Sequence, residues 1–336
     1  MQPLKIDKPI RLIELFAGIG SQAKALKLLN ANFEHYRICE FDKYAIKSYN
    51  AIHGTNFETS DITKITAGDL GIVDTDKYCY IMTYSFPCQD LSLAGKQKGM
   101  AKGENTRSGL LWEVERLLNE CSELPQILLM ENVTQVHGKK NIDHFNEWLA
   151  FLESKGYKNY WKDLNAKNFC IPQNRNRTFM VSILGNYTYE FPKEFPLELR
   201  LKDMLEDSVD EKFYISNERI ESIVNVAEEY KEYSNFYVTP RGSDGKLING
   251  SYNRVWKTDK YSGCINTTKV QEVGEKEWQN TLRIRKLTPK ECWRLMGFQD
   301  EDFEKAAKHN SNSQLYKQAG NSICVSVLYY IFKEMM

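Results

Sequence analysis

The stretch LFAGIGSQA, residues 15–23, joins a short β-branched run at 11–16 to a segment of helical period at 21–29. It fits the pattern G-x-G-x-x-G/A, in which glycines let the backbone pass close to a ligand. Glu40 lies 20 residues past Gly20, at the tip of the next predicted strand, where an acid can take ribose hydroxyls. Taken alone, the turn suits a nicotinamide dinucleotide, the adenosine of S-adenosylmethionine, or no ligand at all.

Short apolar runs alternate with helical segments through the first half of the chain. This rhythm indicates βαβ units, a mostly parallel sheet, and ligands at the carboxyl ends of its strands. The predicted strands are 11–16, 36–40, 78–84, 127–131 and 178–184, and the predicted helices are 21–29, 44–52, 109–121 and 142–155.

The rhythm breaks near residue 185, where proline-rich and acidic stretches precede the Gly- and Asn-rich run 239–256. We expect a smaller, β-rich body there. Order returns at Thr288 and Glu291, which form a capping box for a helix that ends near residue 297. A last amphipathic helix is predicted over 323–332.

The 336 residues are 42% hydrophobic and 27% charged, which excludes disordered, collagenous and disulfide-scaffold classes. Charged residues in the first dozen argue against a signal peptide, and no apolar run approaches a membrane span, so we expect a cytosolic protein. Basic and acidic residues number 45 each, so a polyanion would have to meet a local patch. Candidate patches are 96–107, with net charge +3, and 283–294, with +4, whereas 190–232 carries −7.

The stretch SFPCQDLS, residues 85–92, follows a predicted strand directly and precedes a basic loop. A partly exposed thiol in electropositive surroundings has a lowered pKa, so Cys88 is a candidate nucleophile. No two cysteines lie closer than nine residues, which predicts neither a metal knuckle nor a disulfide ladder. We expect the others to be small buried hydrophobes: Cys39, Cys79, Cys121, Cys170, Cys264, Cys292 and Cys324.

Two further groups are candidates, of which Glu131 is expected at the same sheet edge as Cys88. Glu131 ends a strand, and could donate a proton to a base if burial raises its pKa, or simply pair with a neighbouring cation. Arg175 and Arg177 stand two apart on an extended segment and so point the same way. They could hold a phosphate or a polarised carbonyl, or neutralise Glu131.

The order of FAGIG, FPCQDLSLAGKQKG, MENV, QNRNR, RKLTPKECWRLMGF and QAGNS closely resembles the cytosine-5 DNA methyltransferases of bacterial restriction-modification systems and phages. The resemblance implies an α/β fold: a Rossmann-like S-adenosylmethionine-dependent sheet with helices on both faces, plus a smaller β-rich domain inserted before the C-terminal helix. It implies a discontinuous catalytic domain at 1–185 and 312–336, a target-recognition domain at 186–282 and a hinge segment at 283–311.

The implied reaction is sequence-specific DNA methylation. Cys88 would attack carbon 6 of a flipped-out cytosine, while Glu131 engages ring nitrogen 3 and Arg177, with Arg175 beside it, steadies the carbonyl oxygen. Carbon 5 would then take the methyl group of S-adenosylmethionine, leaving 5-methylcytosine and S-adenosylhomocysteine.

The resemblance also implies binding residues. Those of the cofactor would be Phe16, Gly18, Gly20, Glu40, Asp61, Ile62, Pro87, Leu110 and Asn321. Those of DNA would be Ser92, Lys96, Lys98 and Arg107 in the loop, with Arg241, Asn253, Arg254, Thr267, Thr268 and Lys269 as recognition candidates. Within the motifs, Glu14 stands where many members have Asp, and Ser85 replaces a usual Gly.

Two other classes stay open at this point, a cytosine-5 methyltransferase of RNA such as tRNA and a non-catalytic nucleic-acid-binding relative. The expected partner is double-stranded DNA, and a cognate restriction endonuclease would act on the same site without a stable complex. We expect a monomer of the bacterial cytoplasm or nucleoid, with no metal and no membrane contact.

Overall fold

The structure is a computed structural model that describes residues 2–91, 99–103, 106–216, 255–256, 261–265, 272–276 and 282–336. Its strands are β1 Gln2–Pro3, β2 Ile10–Leu15, β3 Phe33–Cys39, β4 Cys79–Tyr84, β5 Ile127–Asn132, β6 Tyr157–Asn165, β7 Asn176–Leu184, β8 Tyr187–Thr188, β9 Val255–Trp256, β10 Glu272–Lys276 and β11 Leu282–Lys286.

The α-helices within the described residues are α1 Ser21–Leu28, α2 Lys43–His53, α3 Ala67–Leu70, α4 Leu111–Glu120, α5 Ile142–Ser154, α6 Pro289–Arg294, α7 Asp300–Ala307, α8 Asn312–Asn321 and α9 Val325–Lys333. Short 3-10 helices lie at Ser108–Leu110, Thr134–His137, Ala166–Asn168, Leu201–Met204 and Glu211–Phe213. In the part of the chain that is described, no helix is both long and apolar enough to cross a membrane.

The main sheet has six strands in the order β3-β2-β4-β5-β7-β6. The first four are parallel, so their carboxyl ends share one edge. β7 runs antiparallel to both β5 and β6. The amino end of β7 therefore meets the carboxyl end of β5, which brings Arg177, early in β7, close to Glu131, late in β5.

Successive side chains of each central strand enter opposite layers, as the two-residue period of a strand requires. Leu12 and Ile81 join a core cluster that also contains residues of α1 and α9, whereas Ile13 and Met82 join a cluster with residues of α4 and α5. All six residues of β4 are buried, which explains why that strand reads as an uninterrupted apolar run.

The predicted α/β fold with a mostly parallel sheet is confirmed. Five strands and six helices are found where the pattern predicts them, with each end within three residues. The helix at 289–294 begins at its predicted capping box, in which Thr288 Oγ1 accepts from Glu291 N at 3.2 Å and Glu291 Oε2 accepts from Thr288 N at 2.7 Å.

The pattern does not predict β6, α7 or α8. The sequence of β6, YKNYWKDLN, is polar because the strand lies at the sheet edge and leaves most of its side chains half-buried or exposed. Beyond β7, residues of 186–282 also reach the first core cluster, namely Tyr189, Leu201, Met204, Ile265 and Val273. β9, β10 and β11 form a separate three-stranded sheet.

Candidate functional site

Cys88 lies four residues beyond β4, on a turn that its neighbours hold from two sides. Asn132 Nδ2, at the end of β5, donates to the carbonyl of Phe86 at 2.9 Å. Ser108 Oγ donates to the carbonyl of Pro87 at 2.7 Å. The main chain that leads into Cys88 is thus fixed to the end of β5 and to the 3-10 helix that precedes α4. The roles of Asn132 and Ser108 could not be predicted from the sequence, because a side chain that bonds to a main-chain carbonyl requires no particular residue type as its partner.

Glu131 and Arg177 form an ion pair at the same sheet edge. Arg177 Nε lies 3.3 Å from Glu131 Oε1, and the carboxylate is 8% exposed. Burial raises the pKa of Glu131, while the nearby charges of Arg177 and Arg175 oppose the rise. The pairing of Glu131 with a cation is therefore present, and the raised pKa that proton donation would require is present too, while the donation itself stays a prediction.

The expectation of a lowered pKa at Cys88 is wrong. Burial raises the pKa of the Cys88 thiol, and the negative charge of Glu131 raises it further, against the opposing charges of Arg177 and Arg175. The basic loop is visible in the sequence, but the burial of the thiol is not. Burial has the larger effect on the pKa of Cys88. In the free protein, burial and the Glu131 charge therefore favour the neutral thiol of Cys88 over the thiolate.

Arg175 is buried and its guanidinium is used by main-chain carbonyls. Nη1 donates to Ile265 O at 2.9 Å, and Nη2 donates to Gly320 O at 3.1 Å and Ser322 O at 2.7 Å. The side chain, which is 4% exposed, therefore joins three distant parts of the chain beneath the site. These hydrogen bonds indicate that Arg175 has a structural role rather than a direct contact with a substrate.

Cys264 lies between the two arginines. Arg175 Nη1 and Arg177 Nη2 each donate to its sulfur at 3.5 Å. Although burial opposes ionisation, the two guanidinium charges lower the pKa of the Cys264 thiol. The expectation of small buried hydrophobes is therefore wrong for Cys264, and for Cys170, which is exposed. The sequence offered no signal for Cys264, because its partners lie almost 90 positions away.

The glycine-rich turn has the backbone shape that its sequence predicts. Phe16, Gly18 and Gly20 all have positive φ, at 58°, 56° and 79°. Gly18 N donates to Glu40 Oε2 at 2.8 Å, and Asp42 N donates to Glu40 Oε1 at 2.7 Å. Glu40 therefore stabilises the turn directly through its hydrogen bond to Gly18 N, a role that the sequence did not indicate. Burial raises the pKa of Glu40.

The turn leaves room for a ligand. A Cβ placed on Gly18 would meet nothing within 4 Å. The N-cap of α1, Gly20, provides no side-chain cap, and the first turn of α1 contains no acidic residue. An open space beside an uncapped helix N-terminus and the half-buried carboxylate of Glu40 fits a nucleoside carrying a carboxylate, such as S-adenosylmethionine.

The remaining predicted cofactor residues lie on several different elements of the chain. Ser60 N donates to Glu40 O at 2.9 Å, which sets the loop of Asp61 and Ile62 beside the tip of β3. Phe16, Cys88 and Leu110 pack against one core cluster. Pro87 adjoins Cys88, and Asn321 is exposed at the end of α8.

A buried polar network lies beneath the turn. Tyr49 Oη donates to Glu14 Oε2 at 2.5 Å, Ala23 N donates to Glu14 Oε1 at 3.3 Å, and Tyr49 Oη also pairs with His35 Nδ1 at 2.9 Å. Burial raises the pKa of Glu14 to about 7 and lowers that of His53 to about 3. This network explains how a Glu replaces the more usual Asp at position 14.

Most predicted DNA contacts fall outside the described residues: Ser92, Lys96, Lys98, Arg241, Asn253, Arg254, Thr267, Thr268 and Lys269. Arg107 is described; its side chain bonds Gln89 Oε1, and its amide donates to Asp90 Oδ2 at 2.8 Å.

The basic patch 283–294 is largely neutralised internally. Arg285 Nη1 lies 2.8 Å from Glu291 Oε2, with both side chains fully buried. Lys290 and Arg294 both pair with Asp300, at 3.2 and 2.7 Å. The expectation that this patch meets DNA phosphates is wrong for Arg285, which is fully buried. It stays a prediction for Lys290 and Arg294, which are partly exposed and pair with Asp300.

Comparison with known proteins adds sequence relatives and structural neighbours. The family model described as "C-5 cytosine-specific DNA methylase" matches residues 10–336. Type II methyltransferase M2.ScrFI of Lactococcus lactis subsp. cremoris is 35% identical over 97% of this chain and 99% of its own. Orphan methyltransferase M.SssI of Spiroplasma monobiae is 32% identical over 98% and 97%.

Two solved structures share the fold. The Dnmt2 methyltransferase of S. pombe superposes with a TM-score of 0.69 at 23% identity, covering 97% of both chains. The methyltransferase EhMeth of Entamoeba histolytica superposes with a TM-score of 0.74 at 19% identity, covering 98% of both.

Proposed function

The chain belongs to the C-5 cytosine-specific DNA methylase family, and on that premise we propose that it methylates cytosine within a specific sequence of double-stranded DNA through a covalent bond to Cys88. It is a DNA cytosine-5 methyltransferase that uses S-adenosylmethionine as methyl donor. The observation that carries the proposed chemistry is the placement of Cys88, Glu131 and Arg177 at one sheet edge, with both charged groups acting on the thiol.

In the proposed reaction the Cys88 thiol gives its proton to water, and the thiolate sulfur then bonds to carbon 6 of the cytosine ring. Glu131 gives its proton or a hydrogen bond to ring nitrogen 3, which accepts the electron pair displaced by that addition. Bound S-adenosylmethionine supplies the methyl group that carbon 5, now nucleophilic, takes up. Carbon 5 then loses its proton to a base, and the re-formed double bond expels Cys88.

The raised pKa of Glu131 supports its role, because burial favours the protonated carboxyl, which can give a proton or a hydrogen bond to the base. Arg177, whose Nε already touches Glu131, would direct its remaining N–H groups to the pyrimidine carbonyl oxygen. Arg175, bound to three carbonyls, is assigned a positioning role. A paired base hides carbon 6, so the cytosine must leave the helix stack.

The cofactor would lie across the glycine-rich turn. The open space at Gly18 and the half-buried carboxylate of Glu40 support this placement. Phe16, Gly20, Asp61, Ile62, Pro87, Leu110 and Asn321 would complete the pocket.

We place sequence recognition in 186–282, inserted between the catalytic parts 1–185 and 312–336, with 283–311 as a hinge. Recognition candidates are Arg241, Arg254, Thr267 and Thr268, with Ser92, Lys96, Lys98 and Arg107 on the phosphates. We further propose a monomer in the bacterial cytoplasm, whose cognate endonuclease, where one exists, shares the site without a stable complex. The bacterial relatives support this setting.

The test is incubation of the protein with S-adenosylmethionine and mixed genomic DNA, followed by sequencing that reports each 5-methylcytosine with its flanking bases. We expect a single short motif. Methylation of cytosine in RNA but not in DNA would overturn the proposed substrate, and no methylation of either would overturn the proposed activity.

Two controls separate recognition from non-specific binding. Affinity for non-cognate duplex should fall steeply with salt, because it depends on phosphate contacts. Exchange of residues 186–282 for the matching segment of a relative should change the methylated motif, and an unchanged motif would contradict our placement of recognition.

A further inference from the structure

Cys264 belongs to a segment, 261–265, that is tied by main-chain bonds to the residues preceding β7. The amide of Ser262 donates to Pro172 O at 2.7 Å, and Ser262 O accepts from Asn174 N at 2.9 Å. The position of Cys264 relative to the paired arginines is therefore set by backbone hydrogen bonding. The sulfur lies in the site because the chain brings it there, although the sequence places it in the region 186–282.

The sulfur accepts from two guanidinium groups at equal distance. Arg175 Nη1 and Arg177 Nη2 each lie 3.5 Å away. The two arginines differ in their other partners, since Arg175 is anchored on the carbonyls of Ile265, Gly320 and Ser322. Cys264 thus links the anchored guanidinium of Arg175 to the guanidinium of Arg177, which faces Glu131.

The sulfur completes the restraint of Arg177. A guanidinium has five N–H groups. Among the described residues, Nε faces Glu131 at 3.3 Å, Nη1 donates to Asn176 O at 2.8 Å, and Nη2 donates to Cys264. These three contacts restrain the guanidinium plane of Arg177. They leave one hydrogen on Nη1 and one on Nη2 that could be donated to another acceptor.

We propose that Cys264 is a positioning residue for methyl transfer, whose sulfur couples Arg177 to the anchored Arg175 and so holds Arg177 beside Glu131. This inference rests on the proposed function, in which Arg177 contacts the target pyrimidine. Loss of the sulfur would let Arg177 rotate away from the base without changing the residues that bind cofactor or DNA backbone.

The electrostatics of the site agree with this role. Burial disfavours a thiolate, yet the charges of Arg175 and Arg177 lower the pKa of Cys264. The two guanidinium groups that donate to the sulfur therefore also favour its negatively charged form, and the thiol itself donates to Ile265 O at 3.5 Å. A cysteine that only filled space would need no such partners.

The first experiment compares Cys264→Ala with Cys264→Ser. Alanine removes the acceptor, and we expect kcat to fall about tenfold or more, with the KM for DNA changed less than about threefold. Serine keeps an acceptor and should retain kcat within about threefold of wild type. If the residue acts only by packing, alanine will be tolerated as well as serine or better, which would overturn the inference.

A double-mutant cycle with Arg177→Lys asks whether Cys264 acts through Arg177. We expect Cys264→Ala to cost little once Arg177 has been changed. Full additivity of the two losses in kcat would contradict the coupling. Melting temperatures of all variants show whether a loss reflects unfolding.

The third measurement does not depend on methylation. Iodoacetamide labelling of wild-type protein, read by mass spectrometry across pH, should give Cys264 a half-maximal rate at lower pH than glutathione. A midpoint at or above that of glutathione would contradict the sulfur–guanidinium pairing. If wild type does not methylate cytosine, the proposed function fails while this profile still reports on the pairing. If wild type methylates and Cys264→Ala matches it in kcat, the inference alone fails.

Discussion

Arg177 Nε lies 3.3 Å from Glu131 Oε1, so the cation expected to hold a carbonyl oxygen is paired, in the free protein, with the acid expected to engage the neighbouring ring nitrogen. The antiparallel register of β5 and β7, with Glu131 opposite Phe179, sets this pair. A cytosine in the site would meet both groups side by side. The Arg177 charge also offsets part of the cost of burying an ionised Glu131.

Replacement of Cys88 tests the covalent step. We expect Cys88→Ser to reduce turnover by at least roughly 10³-fold, because a serine hydroxyl at neutral pH is a far weaker nucleophile than a thiolate. The rise in melting temperature caused by S-adenosylhomocysteine should persist, since the thiol is needed only for bond formation. Cys170→Ser, at an exposed cysteine near Tyr330, is the matched control. Turnover by Cys88→Ser near the wild-type rate would exclude a covalent mechanism.

The two arginines of the site should respond differently to lysine. Arg175→Lys leaves the carbonyls of Ile265, Gly320 and Ser322 short of donors, and we expect a loss of roughly 2 to 4 kcal/mol in unfolding free energy. Arg177→Lys should mainly lower kcat and leave the melting temperature nearer to wild type. Thermal unfolding and steady-state kinetics of both variants check this. Equal loss of stability in the two variants would contradict the division of roles.

Two glycines of the cofactor turn provide a matched pair. Gly20 has φ of 79°, and a Cβ there would lie 2.3 Å from His53 Nε2 and 2.7 Å from Tyr49 Cε2. Gly20→Ala should therefore cost more than about 3 kcal/mol, from strain plus overlap. Gly18→Ala meets only the backbone strain, about 1 kcal/mol, but its methyl group enters the open space at the turn. We expect Gly18→Ala to reduce the stabilisation by S-adenosylhomocysteine. Equal melting temperatures for the two variants would show that the turn can shift.

Glu14 should make stability depend on pH. Burial raises its pKa from 4.5 to about 7, so the folded state binds the proton more tightly than the unfolded state. The resulting stabilisation is fully present below pH 4.5 and is lost as pH rises towards 7, a change of roughly 3 kcal/mol.

Glu14→Gln removes this titration while keeping a polar partner for Tyr49. The melting temperature of wild type relative to Glu14→Gln should therefore fall between pH 5 and pH 7.5. His35 and His53 belong to the same buried cluster in both proteins and cancel in the comparison. A difference that does not vary with pH would contradict the assignment.

Much of the fold could be predicted because apolar periodicity reports burial directly. β4 and β5 are buried throughout and stand out as apolar runs, whereas the edge strand β6 has no such signature. Cys88 follows β4 and Glu131 lies at the end of the parallel strand β5, so a parallel sheet predicts their meeting. Arg177 reaches them only because β7 runs antiparallel to β5, which the sequence did not indicate. The pKa of Cys88 could not be predicted, because desolvation depends on atoms contributed by other parts of the chain.

The sequence by itself determined the α/β class, the family and the chemistry available at each motif, because these depend on residue type and local order. The tertiary structure decided which charges face one another. Only folding brings Cys264 to both arginines, Glu40 to the amide of Gly18 and Asp300 to Lys290 and Arg294. Electrostatic effects act over a few ångströms of space, and distance along the chain does not fix distance in space.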